Sequence, residues 1–107
     1  MKIENMVSNK GNTVPNQVII TDEENRFFQS YDSIIAVIPF NKKKGFKKFA
    51  KGRKQPDILP QAYLDIKKWD YSRTTSTYRN IFLNEDKSET EDKIESCEYM
   101  LINLNKD

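Results

Sequence analysis

Two carboxylates and a lysine form the one arrangement in this chain with the residue types of a hydrolytic metal site: Pro56-Asp57, followed by Asp65-Ile-Lys67. In metal-dependent nucleases such acids hold a divalent cation while the lysine orients the attacking water. Here the stretch between the acids is too short for a connecting hairpin, it contains Pro60, and no further acid follows where a helix would supply one. The chain has no histidine, which removes triads, most zinc sites and the commonest general base. Three glycines leave no phosphate-cradling loop, and neither a Walker pattern nor a dinucleotide fingerprint occurs. The expectation is a protein without catalytic residues, metal or cofactor.

The strongest functional signal is electrostatic. Lys42 to Lys54 reads KKKGFKKFAKGRK, with eight basic residues and no acid. Setting those eight aside leaves ten basic residues against sixteen acids, so the formal charge of +2 combines a −6 body with a +8 segment. Such asymmetry points to a polyanionic partner. Lys42, Lys43, Lys44, Lys47, Lys48, Lys51, Arg53 and Lys54 are the candidate phosphate contacts, and Phe46 and Phe49 among them are candidates for stacking on bases. The plainer alternative is a solvated lysine loop with both phenylalanines tucked onto the body.

The acids Glu85, Asp86, Glu89, Glu91, Asp92, Glu95 and Glu98 lack the glycine and alternating oxygen ligands of a calcium loop. They read as a solvated helix face, or as carboxylates that imitate phosphates in a basic groove. Trp69, Tyr71 and Arg73, with Glu91 and Glu95, are the candidate protein interface, because Trp, Tyr and Arg are favoured interface anchors. For Trp69, Tyr71 and Tyr78 the alternative is ordinary packing of a helix on a sheet.

These side chains need a scaffold. Residues 2–7 and 17–21 read as strands of a hairpin around Asn9-Lys-Gly-Asn12, and residues 26–31 and 33–38 continue an antiparallel meander in which Phe27 and Phe28 face opposite sides. Pro39, Pro56 and Pro60 bracket the basic segment, which is therefore expected to be an inserted loop over about 40–61, its glycines interrupting any helix. Tyr63 to Ile66 reads as a short edge strand. Capping by Asp70 to Ser72 and helical spacing of Tyr71, Thr75, Tyr78, Ile81 and Phe82 predict a helix over 72–83. A capping box at Ser88 and Glu91 predicts a second over 89–97, with a Glu89–Lys93 pair, and YMLINL is the last strand. The fold class is α+β: a small twisted antiparallel sheet, two short helices on one face and a lysine-rich loop. The predicted core includes Ile19, Ile35, Val37, Tyr78 and Phe82.

Length fits one domain over 1–107, and Leu, Ile, Val and Phe make up 26 of the 107 residues, enough for a folded but thin core. A single cysteine, Cys97, excludes an internal disulfide and suits a reducing cytoplasm. With no signal-like or spanning apolar run, the expected protein is neither exported nor embedded.

The stretches NKGNTVPNQVIITD, RFFQSYDSIIAVI and YLDIKKWDYSRTTSTYRNIFLNE resemble a family of short, mostly uncharacterised proteins carried by bacterial phages and mobile elements. Its most distinctive parts are Phe28-Gln-Ser-Tyr-Asp-Ser-Ile-Ile35 and Trp69-Asp-Tyr-Ser-Arg-Thr-Thr75, while the lysine-rich segment lies outside the pattern. The resemblance implies a habitat in the bacterial host cytoplasm and a non-enzymatic anti-defence inhibitor. Its most concrete form is an anti-CRISPR protein that binds an RNA-guided nuclease and interferes with guide RNA or target DNA. The alternative is a small nucleic-acid-binding module for phage replication or regulation that uses Lys42 to Lys54.

Overall fold

The computed structural model describes residues 1–105. Six strands lie in sequence order across one sheet: β1 (Lys2–Val7), β2 (Thr13–Thr21), β3 (Asn25–Ser30), β4 (Ser33–Pro39), β5 (Ala62–Asp65) and β6 (Tyr99–Ile102). β1 to β4 pair antiparallel, as their period-two segments predict, and β4 and β5 do so too, but β5 and β6 pair parallel, so the sheet is mixed rather than wholly antiparallel as expected. A parallel pair needs a crossover. Here it contains α2 (Arg73–Leu83) and α3 (Lys87–Glu95), while α1 (Lys42–Phe49) lies between β4 and β5. The α+β class stands.

Side-chain alternation divides the core into two layers. Phe28, Ala36, Leu64 and Tyr99 point to the face covered by Phe82 of α2, with Trp69, Tyr78 and Ile94 packed around them. Val37, Tyr63 and Ile102 point to the opposite face, where Phe46 and Ala50 close over them and Phe27 and Phe49 pack alongside. Phe27 and Phe28 thus face opposite sides, as expected. Between β3 and β4 the register slips, Phe28 opposing Ala36 and Gln29 opposing Ile34, so Ile35 is an extra residue that joins Ala36 on the α2 face. Of the predicted core, Ile35, Val37 and Phe82 are buried, and Ile19 and Tyr78 are half-buried against it.

Three further expectations need correction. The lysine-rich segment is not a loop: residues 42–49 are helical, Asn41 caps them by accepting from the Lys44 amide, and helices cover both faces of the sheet. The reason is a narrow apolar stripe of Gly45, Phe46, Phe49 and Ala50 at i, i+1, i+4, i+5 spacing. Second, β5 is no edge strand; it lies between β4 and β6, and all four residues are buried. Third, α3 starts earlier. The reciprocal capping box forms between Asp86 and Glu89, not Ser88 and Glu91. This start places Thr90 inward and hydrogen-bonds it to Glu85, whose carboxylate also accepts from Lys93 Nζ at 2.7 Å and Tyr99 OH at 2.9 Å. Lys93 therefore pairs with Glu85 rather than Glu89. The network ties α3 to β6. Burial and the neighbouring Glu85 carboxylate push the Tyr99 hydroxyl up to about 12.

Candidate nucleic-acid interface

The helix that carries the lysines is seated by its apolar stripe. Phe46 is only 6% exposed, and Phe49 meets the Phe27 ring edge-on at 6.2 Å and the Tyr63 ring at 5.5 Å. Gly45 lies against Pro39 so closely that an added Cβ would come within 2.6 Å of the proline ring. With that side turned to the sheet, Lys42, Lys43, Lys44, Lys47 and Lys48 are all exposed. Within the helix Lys43 and Lys47 share one row, and Lys44 and Lys48 a second, with about 6 Å of axial rise between the members of each. Lys51, Arg53 and Lys54 in the following turn are exposed as well. All eight predicted cations therefore lie on the surface of one structural unit.

Stacking by the two phenylalanines is a different matter. Phe46 is a core residue, and Phe49 is half-buried, with Lys48 Nζ 5.6 Å from its ring centre. The expectation of stacking is corrected for Phe46, whose burial holds α1 in place, while Phe49 shares that seating through its contacts with Phe27 and Tyr63.

Lysines at 42, 43 and 44 occupy the first turn of α1, which has no acid. Cations there oppose the positive end of the helix dipole, where acids would stabilise. Acids come instead from the β2–β3 turn, as Glu23 and Glu24 line a small cavity of about 70 Å³ with Lys44 and Lys48. Asp22 caps that turn, and the amides of Glu24 and Asn25, assisted by Lys48, hold its carboxyl below the usual range.

Trp69, Tyr71 and Arg73 do not form one aromatic recognition surface. Trp69 turns inward beneath the fully buried Arg79 guanidinium, 5.1 Å from ring centre to Cζ. Arg79 donates to the Trp69 carbonyl, to Asp70 at 3.3 Å and to Asn80 at 3.0 Å. Asp70 also receives Lys87 Nζ at 2.7 Å and Ser76 Oγ at 2.8 Å. Burial alone would push this carboxyl up, but the hydrogen bonds from Lys87, Ser76 and Arg79 outweigh it and hold the group low. Ser72 caps α2, and the buried Thr75 hydroxyl bonds Ser30 of β3 at 2.8 Å. The Trp69-to-Thr75 motif is thus largely an anchor for α2. Tyr71 and Arg73 remain exposed, as do Glu91 and Glu95 on α3.

The nuclease-like acids are likewise accounted for. Asp65 is buried, and its carboxylate accepts the amides of Lys67 (3.2 Å), Lys68 (3.0 Å) and Leu104 (2.8 Å). It closes the turn after β5 and ties down the chain end, while Asp57 is exposed. Among the described residues no three His, Cys, Asp or Glu side chains gather where they could hold a metal ion. No helix there is long and apolar enough to cross a membrane.

Compared with protein-family models, curated proteins and solved structures, the chain finds no match. The functional reading therefore rests on the geometry above.

Proposed function

We propose that this protein works by binding rather than catalysis, and that the outer face of α1 with residues 51–54 engages the phosphate backbone of nucleic acid. The observation that carries this is the seating of α1: Gly45, Phe46, Phe49 and Ala50 lock one side onto the sheet, and every cation from Lys42 to Lys54 is held outward. Lysines act as point charges rather than bidentate forks, so contacts of this kind position a backbone without reading bases. Affinity for duplex is expected to be weak, insensitive to sequence and steeply salt dependent.

A shift or anisotropy titration with a random-sequence duplex tests this. If four to six cations reach phosphates, log K against log salt falls with a slope of roughly −0.9 per contact. Changing Lys43, Lys44, Lys47, Lys48 and Lys51 to glutamate removes binding, with the fold checked by circular dichroism. Undiminished binding by that variant at low salt would sink the reading.

A second reading, the anti-defence inhibitor, is favoured by the segregation of charge across the sheet. Exposed Glu89, Glu91, Asp92 and Glu95 lie on α3, on the face opposite α1. An acidic layer could meet the basic groove of a host defence protein such as an RNA-guided nuclease, while α1 meets its guide RNA or target DNA. Inhibition of such a nuclease in a cleavage assay, lost when these four acids become lysine, checks it. No effect on a panel of these nucleases would count against it.

A further inference from the structure

Strand register lines up a transverse row on the α1 side of the sheet: Ile3, Ile20, Phe27, Val37, Tyr63 and Met100, one residue from each strand. Its two halves differ. Val37 and Tyr63 are fully buried beneath α1, whereas Phe27 and Ile20 are only half-buried and Ile3 is 63% exposed. The next row on the same face, Asn5, Val18, Gln29 and Ile34, carries no charge either. An uncharged, largely apolar strip thus lies open on β1–β3. Along one side runs α1, whose Lys48 sits over Phe49, which in turn meets Phe27 edge-on.

We infer that this open strip is the base-contacting half of a single-stranded nucleic-acid site whose phosphate-contacting half is α1. The inference rests on the proposed role of α1 and narrows its ligand. Cations beside an uncharged flat face match a strand that presents phosphates on one side and unpaired bases on the other. A duplex hides its base faces and offers the strip nothing. With strands about 4.8 Å apart, three strands accommodate roughly two nucleotides. Phe27 supplies the aromatic face, and Ile3, Val18 and Ile20 supply apolar contact. The acids of the β2–β3 turn, Asp22, Glu23 and Glu24, bound the path at that end by repelling phosphate.

Fluorescent dT10 and a ten-base-pair duplex of mixed sequence, measured side by side, separate the two halves. Phe27→Leu with Ile3→Ser keeps apolar volume at the packed position and removes the base platform. It is expected to weaken dT10 at least tenfold, in line with roughly 1–3 kcal/mol per stacked base, and to leave the duplex within twofold. Glu23→Gln with Glu24→Gln is expected to strengthen dT10. Photo-crosslinking of an iodouridine decamer is expected to label the peptides containing Ile3, Val18 to Ile20 and Phe27. Equal weakening of both ligands, or crosslinks confined to residues 42–54, would overturn the strip while leaving the role of α1 intact. Failure of the five-glutamate variant to affect either ligand would remove both. A concentration-dependent dimer abolished by Ile3→Ser would assign the strip to a second copy of the chain instead.

Discussion

Gly45 occupies a helical position where only hydrogen fits, because Pro39 carbons lie 2.6 Å from the place a Cβ would take. Alanine is the better helix former by about 1 kcal/mol. Even so, Gly45→Ala is expected to destabilise the protein by about 1–3 kcal/mol, since the proline ring must move or α1 must lift from β4. Denaturant unfolding measures it, and a stabilised variant would show that α1 is not seated so closely. Phe46→Ala is expected to cost about 3–5 kcal/mol for the same reason that Phe46 cannot stack on a base. Its loss should appear in stability before it appears in affinity.

Within α1, stability and binding are expected to part company. Replacing Lys42 and Lys43 by glutamate puts acids at the positive end of the helix dipole, and each change should stabilise by about 0.3–1 kcal/mol. The same changes should weaken duplex binding and make its salt slope shallower by close to one contact each. Thermal unfolding and a salt titration on the same variant read both effects, and a fall in both would mean that the lysines support the fold. The second element-level test concerns the sheet. Burial pushes the hydroxyls of Tyr63, under α1, and Tyr99, against α3, up to about 12. Both hold their protons in the folded state above pH 10, where an unfolded tyrosine loses its own. Their stabilisation is complete below about pH 10 and is lost as pH rises through about 12. Ultraviolet absorbance should show two of the five tyrosines ionising late, together with alkaline unfolding.

Across the whole molecule, the basic segment is the lid of one core layer rather than an appendage. Excising residues 40–61 would bare Val37, Tyr63 and Ile102 and remove Phe46 and Ala50 from above them. Such a deletion is expected to abolish cooperative unfolding and to aggregate, as judged by near-ultraviolet circular dichroism and light scattering. A monomeric, cooperatively folded product would show that the layer is dispensable. Charge reversal on the outer face of α1 is therefore the appropriate probe of function, because the lysine heads are solvated and the apolar stripe is untouched.

Local pattern alone was sufficient for much of this protein. Alternation in residues 2–39 specified the meander and the opposed Phe27 and Phe28, and Ser72 with the spacing of Thr75, Tyr78 and Phe82 specified α2. The eight cations of Lys42 to Lys54 were visible as composition, since net charge needs no fold. Tertiary structure decided what those charges are mounted on. The stripe of Phe46, Phe49 and Ala50 is present in the sequence, but Pro39, Pro56, Pro60 and Gly45 signal breakage more strongly than so short a stripe signals a helix. Packing on β4 and β5 resolves that conflict, because an eight-residue helix is marginal until it buries an apolar side. The inward turn of Trp69 under Arg79, the choice of Asp86 over Ser88 as a cap, and the bulge at Ile35 have the same origin. Each depends on partners distant in sequence, and local propensity contains no term for them.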